Sequence, residues 1–353
     1  MRIVVAPDSF KGSATAIEVA RAIAEGWSSV RDADDLVLLP QADGGEGTLD
    51  AVESAVPGAV RRSAGTVSGP DGRPTPGVWL DLPHGIALVE LAAVSGLPLM
   101  HAPDALAAST RGLGETIAAA LDAGAAELWL ALGGSASTDG GAGALSALGL
   151  RLLDAEGRDL PDGAPIGLAE LDRSRLREHP RRVRLLTDVT SPLLGATGAA
   201  AVFGPQKGAT PHQVVELDAA LARFAALLGP GSGNPGAGAA GGTAYGFIAA
   251  WGADVESGAD AVARLTGLDE ALASADLVVT GEGRFDATSH EGKVVGRVLR
   301  SASAPVLVIA GQLGVPVERA VALDELAGSA REAMERPLHW LRVAGAAAAS
   351  AVS

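Results

Sequence analysis

Cysteine is absent from all 353 residues. That excludes a disulfide framework, a thiolate nucleophile and a cysteine-ligated zinc site, and it suits a reducing interior. Lysine is almost absent too, with three among 27 basic residues, so arginine supplies nearly every cation. There is no basic surplus, because the formal net charge is −15. A nucleic acid or an anionic membrane surface would find no excess of cations to meet it, and any anionic ligand must enter a locally positive pocket. Aromatic residues make up 3% of the chain, which fits core or cleft-wall positions better than a base-stacking platform. No apolar run is long enough to cross a bilayer, the alanine-rich C-terminus being short and weakly hydrophobic. The opening Met1-Arg2-Ile3-Val4-Val5-Ala6-Pro7-Asp8 has too few apolar residues for a secretory signal. The expected location is cytoplasmic.

A chain of this length, 48% hydrophobic and 20% charged, lies above the size at which one core usually splits in two. Short β-branched runs alternate with alanine-rich helical stretches, which predicts an α/β protein with much parallel sheet. The clearest expected strands are Arg2 to Ala6, Leu36 to Pro40, Glu127 to Leu132, Val183 to Thr187, Leu277 to Thr280 and Pro305 to Ala310. Thr15 and Glu18 have the spacing of a capping box, followed by an apolar face of Ile17, Ala20, Ile23, Ala24 and Trp27. Past residue 62 the texture becomes turn-rich, as in Ser68-Gly69-Pro70-Asp71-Gly72-Arg73-Pro74 and Leu82-Pro83-His84-Gly85, which reads as hairpins. The expectation is a discontinuous Rossmann/flavodoxin-like parallel-sheet domain over 1–62 and 268–353, with a mixed α/β domain inserted over 63–267.

The three lysines share a neighbour type. Lys11, Lys207 and Lys293 each touch a glycine, in Phe10-Lys11-Gly12, Gln206-Lys207-Gly208 and Gly292-Lys293. Glycine lets the backbone approach an anion, and lysine acts as a compact point charge on phosphate. Polar glycine-rich segments recur, most of them just after a strand: Asp8 to Ser13, Ala42 to Thr48, Gly133 to Gly141, Asp188 to Pro192, Phe203 to Gly208 and Gly281 to Asp286. Backbone N–H groups at such loops and helix starts cradle phosphate oxygens, lysine neutralises charge in flight, and carboxylates hold Mg²⁺ or accept a hydroxyl proton. The chemistry indicated is phosphoryl transfer. No standard nucleotide signature is met: Ala287 and Val294 break a Walker A element around Gly292-Lys293, and no G-x-G-x-x-G opens the first helix.

Each segment also has a purely structural reading. Asp43 or Asp139 can simply cap a helix, and Pro230 to Gly242 has the composition of a flexible linker. The six histidines show neither metal spacing nor a serine partner, and only His290 stands near a candidate lysine. Arg173, Arg175, Arg177, Arg181, Arg182 and Arg184 read as a solvated helix and strand edge.

Taken together, the segments resemble the type 1 glycerate kinases of bacteria. The resemblance is carried by A-P-D-S-F-K-G-S at Ala6 to Ser13, A-D-G-G-E-G-T at Ala42 to Thr48, G-G-S-A-S-T-D-G-G at Gly133 to Gly141, F-G-P-Q-K-G-A at Phe203 to Ala209, G-A-G-A-A-G-G at Gly236 to Gly242 and T-G-E-G-R-F-D at Thr280 to Asp286. The motifs stand in family order over nearly the whole chain. Thr138 and Ser191 depart from asparagines usual in the family, and the C-terminal part is short. The resemblance implies an ATP-dependent kinase acting on D-glycerate, usually at the 2-hydroxyl, with the active site in a cleft between two α/β domains, and it makes Gly236 to Gly242 a site element. On this reading Asp188 is the base, with Asp43 as runner-up, and Lys11 and Lys293 stabilise the transferring group. Asp8, Ser9, Asp43, Arg284 and Asp286 bind substrate, while Gly133, Gly134, Ser135, Asp139, Lys207, Gly241, Gly242 and Glu282 serve the nucleotide. Mg²⁺ arrives with ATP, with Asp43 or Asp286 as candidate ligands. Phosphorylation at the 3-hydroxyl, or a non-catalytic hydroxy-acid sensor, are the alternatives. The missing dinucleotide fingerprint counts against a dehydrogenase and the missing aspartyl nucleophile motif against a phosphatase. Oligomeric state is left open.

Overall fold

A computed structural model describes residues 1–290 and 293–352. The chain clusters into two compact units. The first comprises Met1–Asp43, Asp50–Pro57 and Ala259–Ser353, and the second comprises Gly44–Leu49 and Gly58–Gly258.

The first unit is built on a parallel sheet. Among the described residues its order is Ala320–Ala322, Val306–Leu313, Leu277–Phe285, Arg2–Val5 and Asp35–Leu38. Ile3 pairs with Leu277 on one side and Leu36 on the other. A strand buried on both faces must be apolar throughout, and Ile3, Val4 and Val5 are wholly buried. Helices cover both faces. The Ala16–Ser28 helix starts at the expected capping box: Thr15 Oγ1 accepts from Glu18 N–H, and Thr15 N–H donates to Glu18 Oε2 at 2.9 Å. Its buried face is Ala16, Val19, Ala20, Ala22, Ile23, Gly26 and Trp27, whereas Ile17 and Ala24 are only half-buried. The face is turned from the expected one because a second helix, Pro337–Ala351, packs on it. The approach is backbone to backbone. A Cβ on Gly26 would lie 2.0 Å from the Arg342 carbonyl oxygen, and one on Gly345 would lie 2.3 Å from that of Ile23.

All six expected strands are present, and two of them run further than expected, Val306–Leu313 by three residues past Ala310. Leu277–Phe285 runs five residues past Thr280, so Glu282 and Arg284 stand in the ladder opposite Ala310 and Gln312 rather than on a loop. Gly281 there is a packing residue, since a Cβ would meet the Ile309 carbonyl oxygen at 2.0 Å.

The second unit holds a mixed sheet ordered Asp254–Glu256, Arg182–Leu186, Glu127–Ala131, Ile86–Glu90, Pro74–Leu82 and Val60–Ser68. The first four strands pair in parallel and the last three form an antiparallel meander, with the expected turns at Ser68 to Pro74 and Pro83–Gly85. The α/β class, with one parallel and one mixed sheet, is as expected. Two local readings are corrected. Residues 236–242 are not a linker: Ala237 and Ala239 are buried, and backbone bonds tie Gly238 N–H to Ser191 and Gly140 N–H to Gly241. Small residues there permit close packing rather than slack. The arginine run forms no helix over 173–178, and Arg184 lies 5.1 Å over the Trp129 ring, bonded to Glu127 and Glu256. No described helix is long and apolar enough to cross a membrane.

Candidate functional site

Each unit carries its own cavity lined by residues singled out in the sequence. In the first unit a cavity of about 380 Å³ is lined by Asp8, Ser9, Lys11, Asp43, Glu282, Arg284, Asp286 and Lys293, with Phe10, Leu323, Ala333 and Met334 as an apolar wall. It opens where the central strands Arg2–Val5 and Leu277–Phe285 end, the edge at which parallel sheets present ligand sites. Asp8 N–H donates to the Gly281 carbonyl at 2.8 Å, extending the ladder one step past the strand. The chain then folds back, with Phe10 and Ala14 exchanging backbone bonds of 2.9 and 3.0 Å. Phe10 is buried at the base of this turn and Lys11 stands at its tip, its side chain 73% exposed and Nζ 3.9 Å from Asp43 Oδ2.

Asp8 is 6% exposed. Burial, and then the negative charge of Asp43, push its carboxyl up to about 7, against the Ser9 N–H and Lys11, which favour the ionised form. The Ser9 N–H donates to Asp8 Oδ1 at 2.6 Å. Glu282, also buried, is raised chiefly by desolvation, with Ser289 and Lys293 pulling the other way. Asp286 is held below the usual carboxylate range by the hydroxyl and N–H of Thr288, at 2.7 and 2.9 Å. Arg284 is exposed, its Nε 3.9 Å from Asp286 Oδ2. Lys293 precedes the Val294–Ser301 helix, and its Nζ donates to Thr288 Oγ1 at 3.2 Å. Its neighbours Glu291 and Gly292 lie outside the described residues.

In the second unit a pocket of about 330 Å³ is lined by Glu46, Gly133, Gly134, Ser135, Gln206, Lys207 and Gly241 among others. Lys207, at the end of the short turn Pro205–Lys207, is 2% exposed. Its Nζ donates to Ser135 Oγ at 2.7 Å and to the Ser137 carbonyl at 2.5 Å. Burial pulls its pKa down to about 7, with the Asp139 carboxylate opposing. Asp139 is itself wholly buried, and its carboxylate accepts from Thr110 N–H and Oγ1 and from the N–H groups of Gly141 and Gly143. That carboxylate is occupied in shaping the loop. Gly242 adopts a left-handed φ of 87° immediately before the Thr243–Trp251 helix. Asp188 is half-buried between Thr187 and Val189, which line the pocket.

The sequence-derived set is therefore divided. Lys11 and Lys293 fall with Asp8, Ser9, Asp43, Arg284 and Asp286 in the first unit, while Asp188 falls in the second with the glycine-rich loop and Lys207. Glu282, assigned with the nucleotide group from sequence, lines the first unit's cavity. Two supporting residues were not singled out. Glu90, 5% exposed, accepts from Gly47 and Leu49 N–H and so holds the turn after Asp43, and Thr110 Oγ1 bonds both Asp139 and Ala144 N–H. A lone acid closing the apolar run Ile86-Ala87-Leu88-Val89 was the available signal for Glu90.

The family model described as "Glycerate kinase family" matches residues 3–352. The chain belongs to the glycerate kinase family. It is 42% identical over 328 residues to a glycerate kinase of Bacillus subtilis (strain 168), covering 89% of this chain and 85% of that protein. It is 41% identical over 328 residues to a glycerate 2-kinase of Escherichia coli (strain K12), covering 89% and 86%. A solved structure described as a glycerate kinase 2 from Salmonella typhimurium LT2 superposes with a TM-score of 0.81 at 38% identity, over 99% of this chain and 97% of that one. The protein is accordingly a kinase, with the mixed α/β architecture of that structure.

Proposed function

We propose that this kinase transfers the γ-phosphoryl group of MgATP to the 2-hydroxyl of D-glycerate. The observation that carries the reading is the first unit's cavity, which Lys11, Arg284 and Lys293 line together with the buried Asp8. An anionic acid needs cations to offset its charge, and its hydroxyl needs a base to take a proton. Arg284 can pair with the substrate carboxylate through its planar fork. Lys11 and Lys293, as point charges, offset the negative charge of the phosphoryl group in transit. The hydroxyl oxygen bonds to phosphorus as the bridge to ADP breaks, and its proton passes to a carboxylate.

Asp8 has the properties that step requires. It is buried in the cavity, and its pKa near 7 places its protonation change at the operating pH, where a general base is most effective. We therefore infer that Asp8, rather than the sequence-favoured Asp188, takes the proton. Gly133, Gly134, Ser135, Lys207 and Gly241 of the second unit are the residues for nucleotide phosphates. Among the described residues no group of three or more His, Asp or Glu is arranged to hold a metal ion. Single carboxylates such as Asp43 or Asp286 fit an ion that keeps most of its own waters and phosphate ligands. Bound to the triphosphate, Mg²⁺ neutralises part of its charge.

The test is ADP release in the presence of MgATP. Release that depends on D-glycerate supports the reading. Tight glycerate binding without ADP release would favour a sensor and overturn it.

A further inference from the structure

The proposed transfer uses one of D-glycerate's two hydroxyl groups, and the cavity holds a second buried carboxylate. Glu282 stands on the Leu277–Phe285 strand opposite Ala310, 8% exposed, and lines the same cavity as Asp8. Its Oε1 is buried and accepts no hydrogen bond among the described residues. A buried carboxylate oxygen without a donor is costly, and native proteins leave few of them. The Ser289 hydroxyl is the side-chain donor that acts on the carboxylate, Lys293 and Lys11 act on it through their charge, and Asp286 adds repulsion. Glu282 lines the cavity, so an occupant of the cavity can supply the donor that Oε1 lacks.

Resting on the function proposed above, we propose that Glu282 accepts the hydrogen bond of the substrate's non-reacting 3-hydroxyl while Asp8 faces the reacting 2-hydroxyl, so that the cavity selects an acid hydroxylated on both carbons. The two carboxylates then read two neighbouring hydroxyls, and Arg284 meets the acid group. D-lactate provides the comparison. It keeps the carboxylate and the 2-hydroxyl but carries a methyl at carbon 3, which cannot donate to Glu282 Oε1. A site built to bond a hydroxyl rejects the analogue lacking it far more strongly than an apolar pocket rejects a missing methylene.

The experiment compares kcat/KM for D-glycerate and D-lactate, by ADP release, in the wild type, Glu282→Gln and Glu282→Met. The wild type should prefer D-glycerate by roughly 10² or more. Glu282→Gln keeps an acceptor oxygen and should keep a preference of at least about tenfold, since an uncharged hydrogen bond is weaker than a charge-assisted one. Glu282→Met should bring the two substrates within about tenfold, through loss on D-glycerate alone. A wild type that uses D-lactate within about tenfold of D-glycerate overturns the proposal even if Glu282→Met does not fold, as does a Glu282→Met enzyme with the wild-type ratio. A wild type with no turnover of D-glycerate would overturn the underlying function, and this proposal with it.

Discussion

Lys207 is a fully buried ammonium with two of its three donors spent on Ser135 and Ser137 and no carboxylate in ion-pair distance among the described residues. Burial lowers its pKa from 10.5 to about 7, so the ligand-free protein loses the charge above neutrality. A nucleotide phosphate would supply the missing counter-charge and restore the ammonium. Above pH 7, binding must then draw a proton from solution, at about 1.4 kcal/mol, or tenfold in affinity, per pH unit. The Kd for ATP should rise roughly tenfold from pH 8 to pH 9 in the wild type, a range in which the terminal phosphate is already fully ionised. Replacement by methionine keeps most of the stem and removes the charge. Lys207→Met should bind ATP at pH 7 about 2 kcal/mol more weakly, the worth of one hydrogen bond to a charged group, with no slope above pH 7. Calorimetry at pH 8 in two buffers of different ionisation enthalpy counts the protons, and uptake should be roughly 0.9 in the wild type and near zero in the variant. Stability offers a check with the opposite ligand state. Because the unfolded chain binds this proton more tightly, the free protein gains stability as pH rises from about 7 towards 10.5, by something on the order of 5 kcal/mol, and Lys207→Met lacks that gain. Equal proton uptake and parallel pH profiles in the two proteins would refute the reasoning.

Lys11→Met and Lys293→Met should each lower kcat by roughly 10² with the fold intact, and arginine at either position should rescue poorly, because a planar fork does not replace a point charge beside glycine. Near-normal steady-state kinetics in both arginine variants would reduce these residues to surface lysines. Asp8 must be ionised to accept a proton, so kcat should rise through an acid limb near pH 7, and Asp8→Asn should cost roughly 10² or more. Asp43→Asn removes the neighbouring negative charge that raises Asp8 and should move that limb to lower pH, while Asp188→Asn should leave it in place; a limb lost with Asp188 and kept without Asp8 would return the base to Asp188.

The α/β class was legible because each expected strand is a compact apolar run, and the capping box at Thr15 and Glu18 marks the first helix directly. What misled was glycine. In Gly281 to Asp286 it signalled a loop, yet Gly281 sits where the neighbouring strand's carbonyl leaves no room for a Cβ. In Gly236 to Gly242 it suggested slack, where small residues instead pack against Ser191 and Pro192. Membership of the candidate site was readable from motif chemistry, but its division was not. Glu282 falls with Asp8, and Lys207 is the most buried of the three lysines, because burial and partnership depend on contacts far apart in the chain. Asp139 shows the same limit, its carboxylate being bonded to Thr110 from a separate segment.

The central claim is phosphoryl transfer to carbon 2 of D-glycerate, and the position of the phosphate tests it most directly. Incubation with MgATP and D-glycerate, followed by proton–phosphorus correlation NMR of the product, should show the new phosphorus coupled to the single proton on carbon 2. Coupling to the carbon 3 methylene pair instead, or no phosphorylated acid at all, would contradict the account.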